Sequence, residues 1–412
     1  MEIQLTDCSP LRAAARVAPQ AFLPAVTARA EIEVRGIEGA AHLDFLLRRA
    51  EPEQLSFLQN PVWGGVKEQW RSESLGWFRR GELVGTALVL YRDLPASLPL
   101  LGRRCLAYLP EGPTLGWFAD GSMPADWLEP LVRHLRAAGA FSIKLGPKLV
   151  TRRWSAASVK AGMADGSVAD FAELAADVVE PEAARLIEHL RALGWRRRAA
   201  PGHGITDQQP RHFVRVPLAG RTEAEVFASF HPQWRRNVRA AERTGVRVWR
   251  AGPDQLPVFH RLYLETARRD AFAPRPLAYF ERMFEILGQR DDGIRLYFAG
   301  VDGVASAAAS TVRLGRHAWF GYGASADTRR ELRASNAVQW RMMRDCLADG
   351  MEYYDLRGVG CTLDPGHPMF GLLRFKIGTG GEVVEYPGEY DLVLNRWLDK
   401  ALRIYLGRRP TR

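Results

Sequence analysis

Cysteine is scarce in this chain. Its 412 residues include four, at Cys8, Cys105, Cys346 and Cys361, with no CxxC pair and no nearby histidine. A disulfide scaffold and a zinc site are therefore both unsupported, and reduced cysteines in a cytoplasmic protein are expected. Long apolar runs are also missing. Nothing approaches the roughly 18 residues that a spanning helix needs. The opening MEIQLTDCSPLRAAARVAPQAF has no uninterrupted apolar stretch, so no signal peptide is expected. His231, His317 and His367 have no serine or cysteine at a spacing that suggests a triad, which leaves nucleophilic catalysis without support.

What the chain has in excess is positive charge. Lysine and arginine number 57 against 47 acids, a formal net charge of +10. Polyanionic or phosphorylated partners fit that balance, and arginine suits bidentate phosphate contacts better than lysine does. Basic surface would also meet anionic lipid headgroups from the cytoplasmic side. The length exceeds what one hydrophobic core usually supports, so two domains are expected.

Along the chain one order of elements occurs twice. In the first half, LDFLLRRAEPEQLSFLQNPVWGGVKEQW predicts two helices, with Pro61 in the first turn of the second. ESLGWFRRGELVGTALVLYRDLP predicts a hairpin about Arg79-Arg80-Gly81, and CLAYLPEGP, DWLEPLVRHLRAAG and AFSIKLGP predict strand, helix and strand. In the second half, TEAEVFASFHPQWRRNVRAAERTG predicts a helix closed by Gly245. A hairpin follows about Val301-Asp302-Gly303, then strand HAWFGYGAS, helix NAVQWRMMRDCLADG and strand MEYYDLRGV. Duplicated α/β (α+β) domains are expected, with the unit order of the GNAT fold, the acyl-CoA N-acyltransferase-like architecture. GNAT enzymes hold the pyrophosphate of acetyl-CoA on a Gly-rich turn after the fourth strand. Here ADTRRELRASNAVQW has no glycine between Gly323 and the helix, which disfavours acetyl-CoA as donor.

Residues 235–250 hold six arginines and one acid. In the helix before Gly245, Phe230, Trp234, Val238 and Ala241 form an apolar stripe, while Arg236, Arg239 and Arg243 share another face. Motifs for reading or stacking bases are absent along that basic side, so a plain nucleic-acid-binding module is disfavoured.

Six motifs in order, FLQNPVWGGVKEQW, AYLPEGP, WRRNVRAAERTGV, HAWFGYGAS, YYDLRGV and GLLRFKIGTGGEVVEYPGEYDLVLN, span about Leu55 to Tyr405. Together they resemble the FemABX aminoacyltransferases of peptidoglycan branch and cross-bridge synthesis, and the layout is most similar to the actinobacterial FemX-type branch. The resemblance implies two tandem GNAT-like domains, divided as a loosely ordered segment 1–38, a first domain 39–180 plus 388–412, and a second domain 181–387. It implies an aminoacyl-tRNA donor, with glycine the favoured amino acid. The implied acceptor is the stem-peptide side-chain amine of UDP-MurNAc-pentapeptide or its lipid-linked form. Neither metal nor coenzyme is implied, because the tRNA ester is already activated. A cytoplasmic place follows, with peripheral contact at the inner membrane face. The same chemistry on another amine, such as a peptide natural-product intermediate, is the alternative.

The resemblance also implies residue roles. Lys376, after Phe375, falls where the family's lysine stabilises the oxyanion and meets the tRNA acceptor end. Lys67 and either Arg235 or Arg236, with the register favouring Arg236, fall where relatives hold the acceptor's diphosphate. Tyr322 matches a tyrosine near the peptide channel. Asp355 would hold the acceptor amine or pair with Arg357, and Gly380, with Gly378 and Gly381, would let backbone approach the substrate. Two positions depart from the pattern: Glu111, where many relatives carry arginine, and Gly146, where many carry an acid. The helical arm that staphylococcal relatives insert in the second domain has no counterpart after AERTG.

Overall fold

Two mixed sheets organise the chain in a computed structural model, which describes residues 31–94, 104–197, 209–289 and 293–407. The first sheet runs Ile32–Gly36, Arg71–Arg79, Glu82–Asp93, Cys105–Leu109, Ala140–Leu145, Tyr390–Val393, with Thr114–Leu115 beside the third strand. The second runs Arg247–Ala251, Ile294–Val301, Val304–Leu314, His317–Ser325, Tyr353–Val359, His212–Pro217, Glu382–Glu385, Arg152–Trp154, Val178–Val179.

The duplication expected from the sequence is visible strand by strand. Each sheet contains one parallel pair joined through a helix: Cys105–Leu109 and Ala140–Leu145 around Pro124–Ala137, and His317–Ser325 and Tyr353–Val359 around Ala334–Ala348. Each also contains the expected hairpin. Arg80 and Gly81, like Asp302 and Gly303, have positive φ at both central positions. That is the turn whose twist matches two antiparallel strands. After Gly245 the chain enters Arg247–Ala251 directly, so no helical arm intervenes. No helix among the described residues is long and apolar enough to cross a membrane.

Four expectations need correction. The segment 1–38 was expected to be loose; residues 1–30 lie outside the described part, but Ile32–Gly36 is a strand paired with Arg71–Arg79. Its alternation puts Ile32 and Val34 on the first core, a short period-2 signal within an otherwise patternless stretch. The helix expected from Thr222 to Gly245 is two helices, Glu223–Ser229 and Pro232–Arg243, because Pro232 lacks the N–H an unbroken helix requires. The second early helix is a single turn, Trp63–Val66, shortened by Gly64 and Gly65, and Pro61 lies ahead of it. Finally, a boundary at 180/181 does not follow the sheets. Arg152–Trp154 and Val178–Val179 pair in the second sheet, while the Pro181–Ala192 helix packs Leu186 and Leu190 into the first core.

Candidate functional site

The parallel pair in the second sheet is short. His317, Ala318 and Trp319 face Tyr353, Tyr354 and Asp355, and the two strands then diverge. Arg357 takes a positive φ of 63° at that point, and pairing to His212–Pro217 is interrupted between Asp355 and Gly358. Backbone strain at a strand splay of this kind marks a place built for something other than sheet continuity. Asp355, Arg357 and Gly358 line it, and the helix Phe370–Ile377 delivers Lys376 to it.

Lys376 is 5% exposed, and its Nζ donates to Gly358 O at 2.7 Å. Burial lowers its pKa to about 7; Asp355 opposes the shift and Arg357 adds to it. Phe375 is half-buried against Trp234, with ring centroids 4.8 Å apart, and its carbonyl accepts the Trp234 indole N–H at 2.9 Å. That contact ties the helix carrying Lys376 to the arginine-rich Pro232–Arg243 helix.

Asp355 is fully buried, with a pKa lowered to about 2: burial raises it, and His317, Lys148 and Arg357 outweigh that. Its Oδ1 accepts the Arg357 backbone N–H at 2.5 Å, while Oδ2 has no hydrogen-bond partner and lies 3.7 Å from His317 Nε2. The Arg357 guanidinium reaches across to the first sheet's side. It donates to Glu111 Oε1 and to Gln209 Oε1, both at 2.9 Å. Glu111 also accepts from Ser56 at 2.6 Å and from Lys148 at 3.5 Å. The departure at Glu111 is thereby explained: a carboxylate here partners two cations, Arg357 and Lys148, that an arginine would repel. Removing one partner of such a buried pair leaves the other charge stranded. Arg357→Ala is expected to cost about 3 kcal/mol of stability, read as a lower denaturant midpoint; an unchanged midpoint would refute that structural role.

Lys67 lies elsewhere, in a cavity of about 430 Å³. Trp63, Trp70, Tyr108, Gln209 and Tyr279 line it, with Arg92, Arg275 and Arg282 as further cations. The Tyr279 ring sits between two of these, 5.5 Å from Lys67 Nζ and 5.4 Å from the Arg275 guanidinium. Burial and then Arg275 lower the Lys67 pKa to about 8. Arg282 is paired with Glu68. Lys67 and Arg275 have no carboxylate partner among the described residues, so the cavity holds uncompensated positive charge. Tyr322, 6.1 Å from Tyr279 by ring centroids, donates its hydroxyl to the Tyr279 hydroxyl at 3.2 Å.

Two sequence expectations are not met here. Arg235 and Arg236 do not line the Lys67 cavity. Arg235 bonds Ala228 O, and the exposed Arg236 bonds Gln233, on the first turns of the Pro232–Arg243 helix. The arginine that does stand with Lys67 is Arg275, which follows a helix end in the aperiodic RDAFAPRP; an arginine between two prolines next to a helix start was its only signal. The glycines after Lys376 also serve a different purpose. A Cβ on Gly380 would lie 2.2 Å from Ser229 O, one on Gly378 2.3 Å from Trp234 Cδ1, and one on Gly381 2.6 Å from Arg215 O. The close approach they permit is to this protein's own chain. The apolar stripe, in contrast, is as expected: Phe230, Trp234, Val238 and Ala241 are all buried.

Comparison with known proteins agrees with this architecture. The crystal structure of FemX superposes with a TM-score of 0.72 at 20% identity, covering 90% of this chain and 99% of that one. A lipid II:glycine glycyltransferase of Staphylococcus haemolyticus is 22% identical over 406 residues, 82% of this chain and 88% of the relative. One from Staphylococcus saprophyticus subsp. saprophyticus is 22% identical over 428 residues, 88% and 94% of the two. The FemAB family model matches residues 48–303 and 299–405, nearly the whole described chain, and the protein belongs to the FemAB family.

Proposed function

We propose that this protein transfers an amino acid, glycine by the names of its relatives, from an aminoacyl-tRNA to the stem-peptide side-chain amine of a peptidoglycan precursor. The observation that carries the reading is the pairing of two sites: a buried lysine at a strand splay, and a cavity in which Lys67 and Arg275 have no carboxylate partner among the described residues. The cavity suits a diphosphate, with Lys67 and Arg275 as its counter-charges. The splay suits acyl transfer.

In this mechanism the acceptor amine loses a proton and its nitrogen attacks the ester carbonyl. The new C–N bond forms, the carbonyl oxygen becomes an oxyanion, and the ester C–O bond then breaks as the leaving tRNA hydroxyl takes up the proton that the attacking nitrogen gives up. Lys376, protonated, donates to the oxyanion from a dry site where that interaction counts for most. Asp355 Oδ2, buried and without a hydrogen-bond partner, receives the ammonium form of the acceptor and holds it at the splay. Tyr322 and Tyr279 border the acceptor's path. Phe375 positions Lys376 through Trp234. The donor's phosphates meet Arg235, Arg236, Arg239 and Arg243, which have no ion-pair partner among the described residues.

The Lys376 pKa gives this scheme a pH signature. An acceptor amine near ~10.4 becomes nucleophilic as pH rises. Lys376 loses the needed proton above about 7. The two trends cancel between these values, so kcat/KM should rise up to about pH 7 and then flatten. A steady climb through pH 8 and 9 would mean that the cationic lysine is not required.

The defining experiment is a reconstitution of purified protein, glycyl-tRNA and lysine- or diaminopimelate-containing precursor. A mass gain of one glycine on the stem peptide is expected. No addition to any such acceptor with a charged tRNA pool would overturn the reading.

A further inference from the structure

The helix Arg396–Gly407 has two unlike sides. Leu398 and Leu402 turn inward onto Leu106 and Phe141, and Trp70 and Leu94 pack on the same cluster. Asp399, the one acid in the helix, is also buried on that side. On the other side Trp397 is 81% exposed and Ile404 46% exposed. With Ala401 they follow the i, i+4, i+7 spacing of one helical face, and the exposed Arg396 and Lys400 flank it. An indole set in water between cations, with no carboxylate on its face, has the composition of a helix that lies in a membrane interface.

The location of this face gives it a partner. Trp70, packed on the cluster that the inward side of the helix joins, also lines the Lys67–Arg275 cavity. The helix and the cationic cavity thus border the same apolar cluster. The chain as a whole carries +10, which suits a negatively charged surface.

We propose that the Arg396–Gly407 helix seats this protein on an anionic lipid bilayer, so that the Lys67–Arg275 cavity receives a diphosphate still linked to its lipid. The proposal rests on the acceptor reading above and extends it from the diphosphate to the form in which it is presented. Leu398 and Leu402 hold the helix to the body, Trp397 and Ile404 enter the headgroup region, and Arg396 and Lys400 meet lipid phosphates.

Sedimentation of the full chain with vesicles tests this, with no donor or acceptor present. With vesicles of roughly one-third phosphatidylglycerol in phosphatidylcholine, the protein should pellet, and it should not with phosphatidylcholine alone. Trp397→Asp should weaken binding about tenfold or more, and Trp397→Ala and Lys400→Glu severalfold. With acceptor and donor supplied, Trp397→Asp should lose transfer to lipid-linked acceptor in vesicles and keep it on the water-soluble nucleotide-linked one. Wild-type protein that stays in the supernatant, or a Trp397→Asp variant that pellets equally, would overturn the proposal. So would a dimer that Trp397→Asp dissociates without any vesicle binding, since the face would then belong to a second copy. Vesicle binding without transfer to either acceptor would instead sink the enzymatic reading alone.

Discussion

Lys376→Met should lower kcat/KM for transfer by about 10²- to 10³-fold, the usual loss when one oxyanion donor is removed. The fold should survive the change. The lysine's pKa is about 7 in the folded chain, against ~10.4 when unfolded, so the unfolded chain holds the proton more tightly. Its contribution to stability is therefore least favourable below pH 7 and improves as pH rises toward ~10.4. Methionine, of similar length, carries no such cost and gives up only the bond to Gly358 O. The thermal midpoint of the variant at pH 6 should equal or exceed that of the parent. More than a tenth of parental activity in a folded variant would remove Lys376 from the mechanism.

Replacing Lys67 or Arg275 by alanine should raise the KM for acceptor about 10- to 100-fold, from the loss of one charge-assisted contact worth about 1.5–3 kcal/mol. The KM for aminoacyl-tRNA should stay within about twofold, because the cavity is separate from the arginine helix. Arg236→Ala should show the opposite split, with donor KM raised and acceptor KM unmoved. If Arg236→Ala weakened acceptor binding while Arg275→Ala did not, the diphosphate would belong on the arginine helix instead. Lys67 is half-buried and Arg275 exposed, and no carboxylate among the described residues holds either, so neither removal strands an opposite charge.

Much of the fold could be read from the sequence because its signals are local. Arg80-Gly81 and Asp302-Gly303 announce hairpins by their need for positive φ, and Phe230, Trp234, Val238 and Ala241 announce a buried helix face by their period. The same period separated the arginines from the core but could not say which cavity they would face, since direction depends on how two helices far apart in sequence pack. Arg275 was hidden for the same reason: it sits in a loop without periodicity, and only the fold brings it to Lys67. The glycines around Gly380 show a third limit. A glycine reveals that something comes close, yet not whether that neighbour is a substrate or, as here, Ser229, Trp234 and Arg215. Glu111 departs from the family pattern in the sequence alone, and its partner Arg357 lies 246 positions away.

The pairing of Tyr390–Val393 with Ala140–Leu145 has a consequence for synthesis. During translation the strand ending at Leu145 emerges long before its partner, which begins at Tyr390. At ~5–20 residues per second that interval of roughly 245 residues lasts ~12–50 s. Until then the first sheet has an open edge, and Arg152–Trp154 waits in the same way for Glu382–Glu385. Each sheet is therefore completed only after nearly all of the other has been made.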